Sequence, residues 1–312
     1  MIITITANPA VDISYPLDEL VIDDVNRVAS VSKTAGGKGL NVARVVRQLG
    51  EEVGASGFLG GSLGNFIREE VKRQNIHDRF VEIAGDTRNC IAILHNGNQT
   101  EILESGPTIS EEEQEKFLDA YEEFISEASV ITISGSLPKG LSSDFYGQLI
   151  ELGAQAKTDV YLDTGGDMIR DLLTRAEKPF LIKPNESEFA DIVGVESVTK
   201  EDAVRHLADD LFAGVEWVVV TLGADGAVVK QGANIYEVDI PTVEVVNPVG
   251  SGDAVIAGLA VARKRRLDVE RMISFGLTMG VLNAMEETTG SVDVEKLSEI
   301  ESQVVVRKVS SS

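Results

Sequence analysis

The sequence is short of the residues on which many site chemistries depend. It has one cysteine, Cys90, so no disulfide can form within the chain, no thiolate cluster can hold a metal, and a reducing compartment is expected. Cys90 itself sits in a strand-like run and reads as a small buried hydrophobe. His77, His95 and His206 are scattered, without the spacing of a zinc site. Aromatic residues make up 5% of the chain, and the single tryptophan, Trp217, precedes a run of valines and is expected in the core. Basic residues are scarce beside acidic ones, 28 against 51, for a formal net charge of −23. That field repels nucleic acid and anionic membrane surfaces, so neither is expected as a partner. The one basic cluster, Arg263-Lys264-Arg265-Arg266, ends a helical pattern, where cations oppose the negative end of the helix dipole. No apolar run reaches the roughly 20 residues of a membrane span. Met1 to Thr6 lacks a basic region and runs into Asn8-Pro9, so a strand is expected there and not a signal peptide. The expected location is cytoplasmic.

What the chain does have is apolar material, glycine and a regular alternation of elements. Over 312 residues, 43% are hydrophobic, enough for one large α/β domain or two smaller ones. β-branched runs predict strands at Ile2–Thr6, Val53–Leu59, Val130–Ile133, Val160–Leu162, Phe180–Ile182 and Trp217–Thr221. Helical spacing lies between them: from Leu40 to Leu49, closed by Gly50, then Leu63–Gln74, Ser143–Ala156, Met168–Arg175, a helix from about Glu186, and Glu201–Phe212. Ser110 with Glu113 forms a capping box at another helix start. Ala254–Lys264 and Val269–Met285 are read as two helices that close the fold, ahead of a serine tail, Ser310-Ser311-Ser312. Alternation of this kind predicts a mainly parallel sheet covered on both faces, with ligands at the carboxyl ends of the strands. Two regions depart from it. Ile13–Ser32 carries alternating patches such as Arg27-Val28-Ala29-Ser30-Val31, and Asn89–His95 is joined to Gln99–Leu103 through Asn96-Gly97-Asn98, a strong hairpin signal. A further hairpin, Ala227–Lys230 and Ile235–Val238, flanks Gly232. The first two regions predict a small sheet projecting from the main body, as a lid or as a surface for a second subunit.

Candidate chemistry gathers at the loops. Asn247-Pro248-Val249-Gly250-Ser251-Gly252-Asp253 precedes an apolar helix, so free amides and the positive end of its dipole lie at a loop open to anions. A carboxylate beside bound phosphate is repulsive unless it acts on the reaction, by orienting or deprotonating an attacking alcohol. The alternative is that Asp253 caps the helix. Ala35-Gly36-Gly37-Lys38-Gly39 is a second glycine-rich helix start. It fails the Walker pattern at Ser32 and Gly39, while the loop at Gly250 fails the dinucleotide fingerprint at Val255. Lys38 between glycines, together with Arg88 ahead of the hairpin, is a candidate phosphate clamp. Asp12 leaves the first strand and either holds sugar hydroxyls or satisfies a turn. Lys183-Pro184-Asn185 with Glu188 leaves another strand. Asn185 and Glu188 share a helical face and either hold a hydrated magnesium ion or cap the helix.

In combination, Asn8-Pro9 with Asp12, Gly36-Gly37-Lys38-Gly39 with Asn41, Lys183-Pro184-Asn185 with Glu188, and Gly250-Ser251-Gly252-Asp253 resemble the ribokinase-like, PfkB-type sugar kinases, in the same order and over essentially the whole chain. Thr87-Arg88-Asn89, Ser134-Gly135-Ser136-Leu137-Pro138 and Asn247-Pro248-Val249 resemble the hexose-phosphate branch. The resemblance implies one ribokinase-like domain over 1–312, a three-layer α/β/α sandwich with a mainly parallel central sheet. Insertions at about 11–35 and 86–106 would form the lid, which would also join a homodimer. It implies ATP and magnesium as cofactors and a sugar phosphate as substrate: tagatose 6-phosphate, with fructose 1-phosphate as the alternative and a non-catalytic sensor as a weaker one. Asp253 would be the general base, with the amides of Gly250, Ser251 and Gly252 as the anion hole. Asp12, Gly37, Asn41 and Ser136 would hold the sugar, and Lys38 and Arg88 its phosphate. Lys183, Asn185 and Glu188 would serve the nucleotide phosphates and magnesium. Thr221, Gly223, Gly226 and Asn283 would line the nucleoside pocket. One departure stands out: many members carry Asp-Thr where this chain has Asn247-Pro248.

Overall fold

The structure is a computed structural model that describes residues 1–309. The Ser310-Ser311-Ser312 tail lies outside the described residues. The chain begins with β1 (Ile2–Thr6), β2 (Ala10–Leu17), β3 (Ser32–Gly36), α1 (Lys38–Gln48), β4 (Val53–Leu59) and α2 (Gly61–Arg73). Two short strands, β5 (His77–Asp78) and β6 (Val81–Glu82), lead to the hairpin β7 (Arg88–His95) and β8 (Asn98–Leu103). Then follow α3 (Glu111–Ile125), β9 (Val130–Ser134), α4 (Ser143–Ala156), β10 (Asp159–Asp163), α5 (Gly166–Leu172), β11 (Leu181–Ile182), α6 (Glu186–Val193) and α7 (Lys200–His206). The last third holds β12 (Trp217–Thr221), β13 (Ala227–Gln231), β14 (Asn234–Asp239), α8 (Ser251–Lys264), α9 (Val269–Ala284), α10 (Leu297–Glu301) and β15 (Val305–Val309).

An eleven-stranded sheet runs in the order β15-β14-β13-β12-β11-β10-β9-β1-β4-β5, with β6 also beside β4. From β12 through β5 its pairings are parallel, and β13, β14 and β15 continue it antiparallel. β1 and β9 are buried along their whole length, as the unbroken apolar runs of strands covered on both faces require. On one face, α1, α2, α8 and α9 pack aliphatic residues such as Val42, Ile67, Val261 and Met279. The other face is aromatic: Phe117 of α3 lies 4.8 Å from Phe58 of β4 and 5.4 Å from Phe145 of α4, ring centre to ring centre. The result is a three-layer α/β/α sandwich. α8 and α9 approach closely because a Cβ on Gly258 would stand 2.9 Å from the Cα of Gly276. Among the described residues no helix is long and apolar enough to cross a membrane.

A separate four-stranded sheet, β3-β2-β7-β8, joins the two departing regions. β2 and β7 run parallel, with Asp12 opposite Cys90, and a hairpin partner flanks each. The segment from Asp18 to Val31 contradicts the expectation of β structure through Ser32, because it forms no strand between β2 and β3. The helix expected over Glu201–Phe212 also divides: α7 ends at His206, and Asp210–Phe212 forms a 3₁₀ turn. Asp209 and Asp210 would place two carboxylates at the negative end of a continued helix. β15 and the two-residue strands β5 and β6 were not expected; β15 is an edge strand that Arg307 and Lys308 protect from further pairing.

Candidate active site

A cleft of about 1600 Å³ opens at the carboxyl ends of the parallel strands, between the main body and the small sheet. Every residue expected in the site lines it except Asn283. Asp253 lies at its floor, 5% exposed, on the first turn of α8. It is not a cap. Gly250 holds the N-cap position with φ of 84°, and the Asp253 carboxylate instead accepts 2.7 Å from the amide nitrogen of Asn41. Burial, then the charge of Asp163, push this carboxyl up to about 7, against the Asn41 hydrogen bond and the ammonium groups of Lys38 and Lys183. The N–H groups of Gly250, Gly252 and Asp253 have no acceptor among the described residues. Of the expected anion-hole amides, Ser251 N–H turns back to Pro248 O at 3.3 Å. A Cβ at Gly252 would stand 2.9 Å from Lys183 Nζ, so that ammonium lies over the free amides.

Asp163, at the end of β10, is a site residue that the sequence reading missed. It is 1% exposed, lies 3.4 Å from Lys183 Nζ and 3.5 Å from Lys38 Nζ, and its Oδ2 has no hydrogen-bond partner among the described residues. The carboxylate thus anchors two cations that border the anion hole. Burial opposes the charge on Lys38, but Asp163, Asp253 and Glu188 outweigh it and raise its pKa. The only hint in the sequence is the aspartate that directly follows the predicted strand, in Leu162-Asp163-Thr164.

At the other end of the cleft, the Asp12 carboxylate covers Gly36, where a Cβ would meet it at 2.1 Å. Surrounding protein pushes the Asp12 carboxyl up to about 6, against the charges of Arg44 and Arg88. Arg88 donates to Glu104 O at 2.8 Å and Asn8 O at 3.0 Å, and its buried Nε has no partner among the described residues. Its guanidinium is therefore fixed across the root of the hairpin beside the cleft. Gly37 and Ser136 line the same wall. Cys90 departs from the expectation of a buried hydrophobe, since it is half-buried in that wall.

Asn185 and Glu188 form a reciprocal capping box on α6: the Asn185 oxygen accepts from Glu188 N at 2.9 Å, and Glu188 Oε2 accepts from Asn185 N at 2.9 Å. Glu188 Oε1 is left free of these bonds, and among the described residues no group of three His, Cys, Asp or Glu could enclose a metal. Such a donor set suits magnesium that keeps its waters and phosphate oxygens, and not an all-protein cage. Thr221, Gly223 and Gly226 border the cleft on the turn after β12. Asn283 is corrected. It is fully buried, donates to Val249 O at 3.0 Å and accepts from Gly290 N at 2.9 Å, so it braces the anion-hole loop from beneath instead of lining a nucleoside pocket.

The sequence model of the "pfkB family carbohydrate kinase" matches residues 5–296. The fold is similar over 100% of both chains to a Staphylococcus aureus protein named a "putative phosphofructokinase", at 30% identity and TM-score 0.86. It is similar to phosphofructokinase-2 from Escherichia coli in complex with potassium, at 25% identity and TM-score 0.88, over 96% of this chain and 98% of that one. A Thermotoga maritima protein named a "possible 1-phosphofructokinase" has the same fold at 24% identity and TM-score 0.89, over 99% of each chain. With the buried acid, the free amides and the paired lysines in one cleft, the family match gives the conclusion: the chain belongs to the pfkB family of carbohydrate kinases.

Proposed function

We propose that this kinase transfers the terminal phosphoryl group of ATP to the 1-hydroxyl of tagatose 6-phosphate, with fructose 1-phosphate as the competing substrate. The observation that carries the reading is Asp253, a buried carboxylate held by Asn41 beside the free amides of Gly250, Gly252 and Asp253. Titrating near 7, it is poised to take a proton from an alcohol as the alcohol attacks phosphorus. The amides and Lys183 receive the charge on the transferring group, which is the main task in phosphoryl transfer. Lys38 and Arg88 border the sugar's own phosphate, while Asp12, Gly37, Asn41 and Ser136 border its hydroxyls. Lys183, Asn185 and Glu188 face the nucleotide phosphates, and Thr221, Gly223 and Gly226 border the nucleoside. When bound, magnesium neutralises phosphate oxygens, and Glu188 Oε1 would hold it through water.

The β3-β2-β7-β8 sheet, from insertions at about 11–35 and 86–106, acts as a lid on a single domain and excludes water from transfer. Ile102 on its hairpin is 54% exposed and stands outside the cleft lining, which suits a second copy of the chain, and so a homodimer, more than open solvent. A cytoplasmic setting agrees with the single cysteine. ADP release, followed with tagatose 6-phosphate, fructose 1-phosphate and fructose 6-phosphate in turn, tests the substrate. The highest kcat/KM is expected on tagatose 6-phosphate, and turnover on either fructose phosphate alone would overturn that choice.

A further inference from the structure

Arg44 has the look of an ordinary charged residue on a helix, yet it is half-buried on α1, one turn beyond Asn41. Its Nη1 donates to Ala35 O at 2.7 Å and its Nη2 donates to the side-chain oxygen of Asn41. Its Nε is buried without a partner among the described residues. We infer that Arg44 is a positioning residue for the base: it fixes the Asn41 amide so that its nitrogen, and not its oxygen, faces Asp253. The inference rests on the kinase reading above.

A guanidinium has five donors and no acceptor. Whatever faces it must be an oxygen, so the amide has one permitted orientation. The NH₂ group is then turned to Asp253 Oδ2, which it meets at 2.7 Å. An asparagine without such a partner can flip. Flipped, it would present oxygen to oxygen, an arrangement stable only when Asp253 holds its proton, and a protonated acid is no base. Among the described residues only Arg44 donates to the Asn41 oxygen.

The arginine cannot easily move. A Cβ on Gly290 would stand 3.1 Å from Arg44 Nε and 3.0 Å from the Cα of Asn41, so that backbone lies directly on both residues. Gly290 is in turn held by the Asn283 amide that braces the anion-hole loop. The base and the anion hole thus share one support. Other charges face the pair: Asp163 from the end of β10, Lys38 from the start of α1 and Lys183 after β11 act on Asp253, while Asp12 of β2 and Glu70 of α2 act on Arg44. These shift charge balance, but they do not set which end of the amide points at the base.

The test compares wild type with R44M, R44Q and R44K, each checked for its folded circular dichroism spectrum. Two quantities are read: the acid limb of kcat/KM for ADP release, and the ¹³C titration of the Asp253 carboxyl, assigned by its disappearance in D253N. R44M loses both the lock and the cation, which makes ionised Asp253 less favourable, so both should move to higher pH by about one unit, a tenfold loss below the limb; R44Q loses the cation but keeps an amide N–H able to donate to the Asn41 oxygen, so its shift should be smaller. R44K, which keeps the charge and an ammonium with three donors, should remain near wild type. A fall in kcat at all pH values with limb and carboxyl unmoved would reduce Arg44 to a packing role and overturn the inference. If wild type releases no ADP with any sugar phosphate, the kinase reading fails, and the carboxyl titration still decides the role of Arg44.

Discussion

Two glycine-rich stretches open two buried helices that pack against each other, and their glycines serve different ends. At the start of α1, what approaches is the protein itself. A Cβ on Gly37 would meet Thr6 Cγ2 at 2.6 Å, and one on Gly39 would meet Thr6 Oγ1 at 2.4 Å and Ile5 O at 2.9 Å. These glycines let α1 close on the end of β1 and so fix Lys38 and Asn41 over the cleft. At the start of α8, Gly252 faces no backbone within that distance, only the ammonium end of Lys183 at 2.9 Å. Gly37 and Gly39 let the fold pack, and so does Gly250, whose φ is 84° and whose Cβ would meet Thr289 Cγ2 at 2.5 Å; Gly252 is the glycine that leaves amides open. Counting glycines does not separate the two cases, because the difference lies in what stands opposite.

The comparison can be broken most sharply at the acid that only the second stretch carries. D253N should lower kcat by about 10³-fold while the protein still binds nucleotide, within the usual range for loss of a general base; ADP release and a binding titration check it. In wild type, kcat/KM should rise with pH through about 7, where Asp253 loses its proton. The same shift fixes the sign for stability. The folded carboxyl titrates above its ordinary 3.8, so its stabilising contribution is full below that value and is lost as pH climbs through about 7. D253N should therefore melt no lower than wild type at pH 8.

G252A and G39A set the two stretches side by side. G252A displaces the Lys183 ammonium and crowds the bound anion, so kcat should fall about 10²-fold with the melting temperature nearly unchanged. G39A forces a methyl into Thr6 and the Ile5 carbonyl, and should lose about 2–3 kcal/mol in chemical denaturation. If G39A were as stable as wild type, the packing role given to the first stretch would be wrong. G258A, which pushes α8 from α9, should cost about 1–3 kcal/mol. Least of all, S110A removes the cap of α3, far from the cleft, and should cost about 1 kcal/mol with kcat unaltered.

Much of this could be read from the chain. The buried strands, the hairpin at Asn96-Gly97 and the four loop motifs are local patterns, and the structure brings their residues to one cleft. The loop around Asp253 was legible to the point of two readings, and the position of Gly250 as cap removes the capping one. Asp163 was not legible, because its importance comes from β10 lying beside β11, which brings Lys183 within reach. Arg44 was hidden because a half-buried arginine and a solvated one look alike on a helix, and Asn283 was misplaced because only the packing of α9 on α8 shows which way its amide points. β15 was missed although Val304-Val305-Val306 is a β-branched run, since its strand partner, β14, lies far off in sequence.

The most direct measurement is a crystal structure holding tagatose 6-phosphate and a non-hydrolysable ATP analogue together. The account predicts the Asp253 carboxylate at roughly 2.6–3.2 Å from the sugar hydroxyl that faces the terminal phosphorus, with the amides of Gly250 and Gly252 on that phosphate's oxygens. A hydroxyl seated beyond hydrogen-bond reach of Asp253, with another side chain in its place, would contradict it.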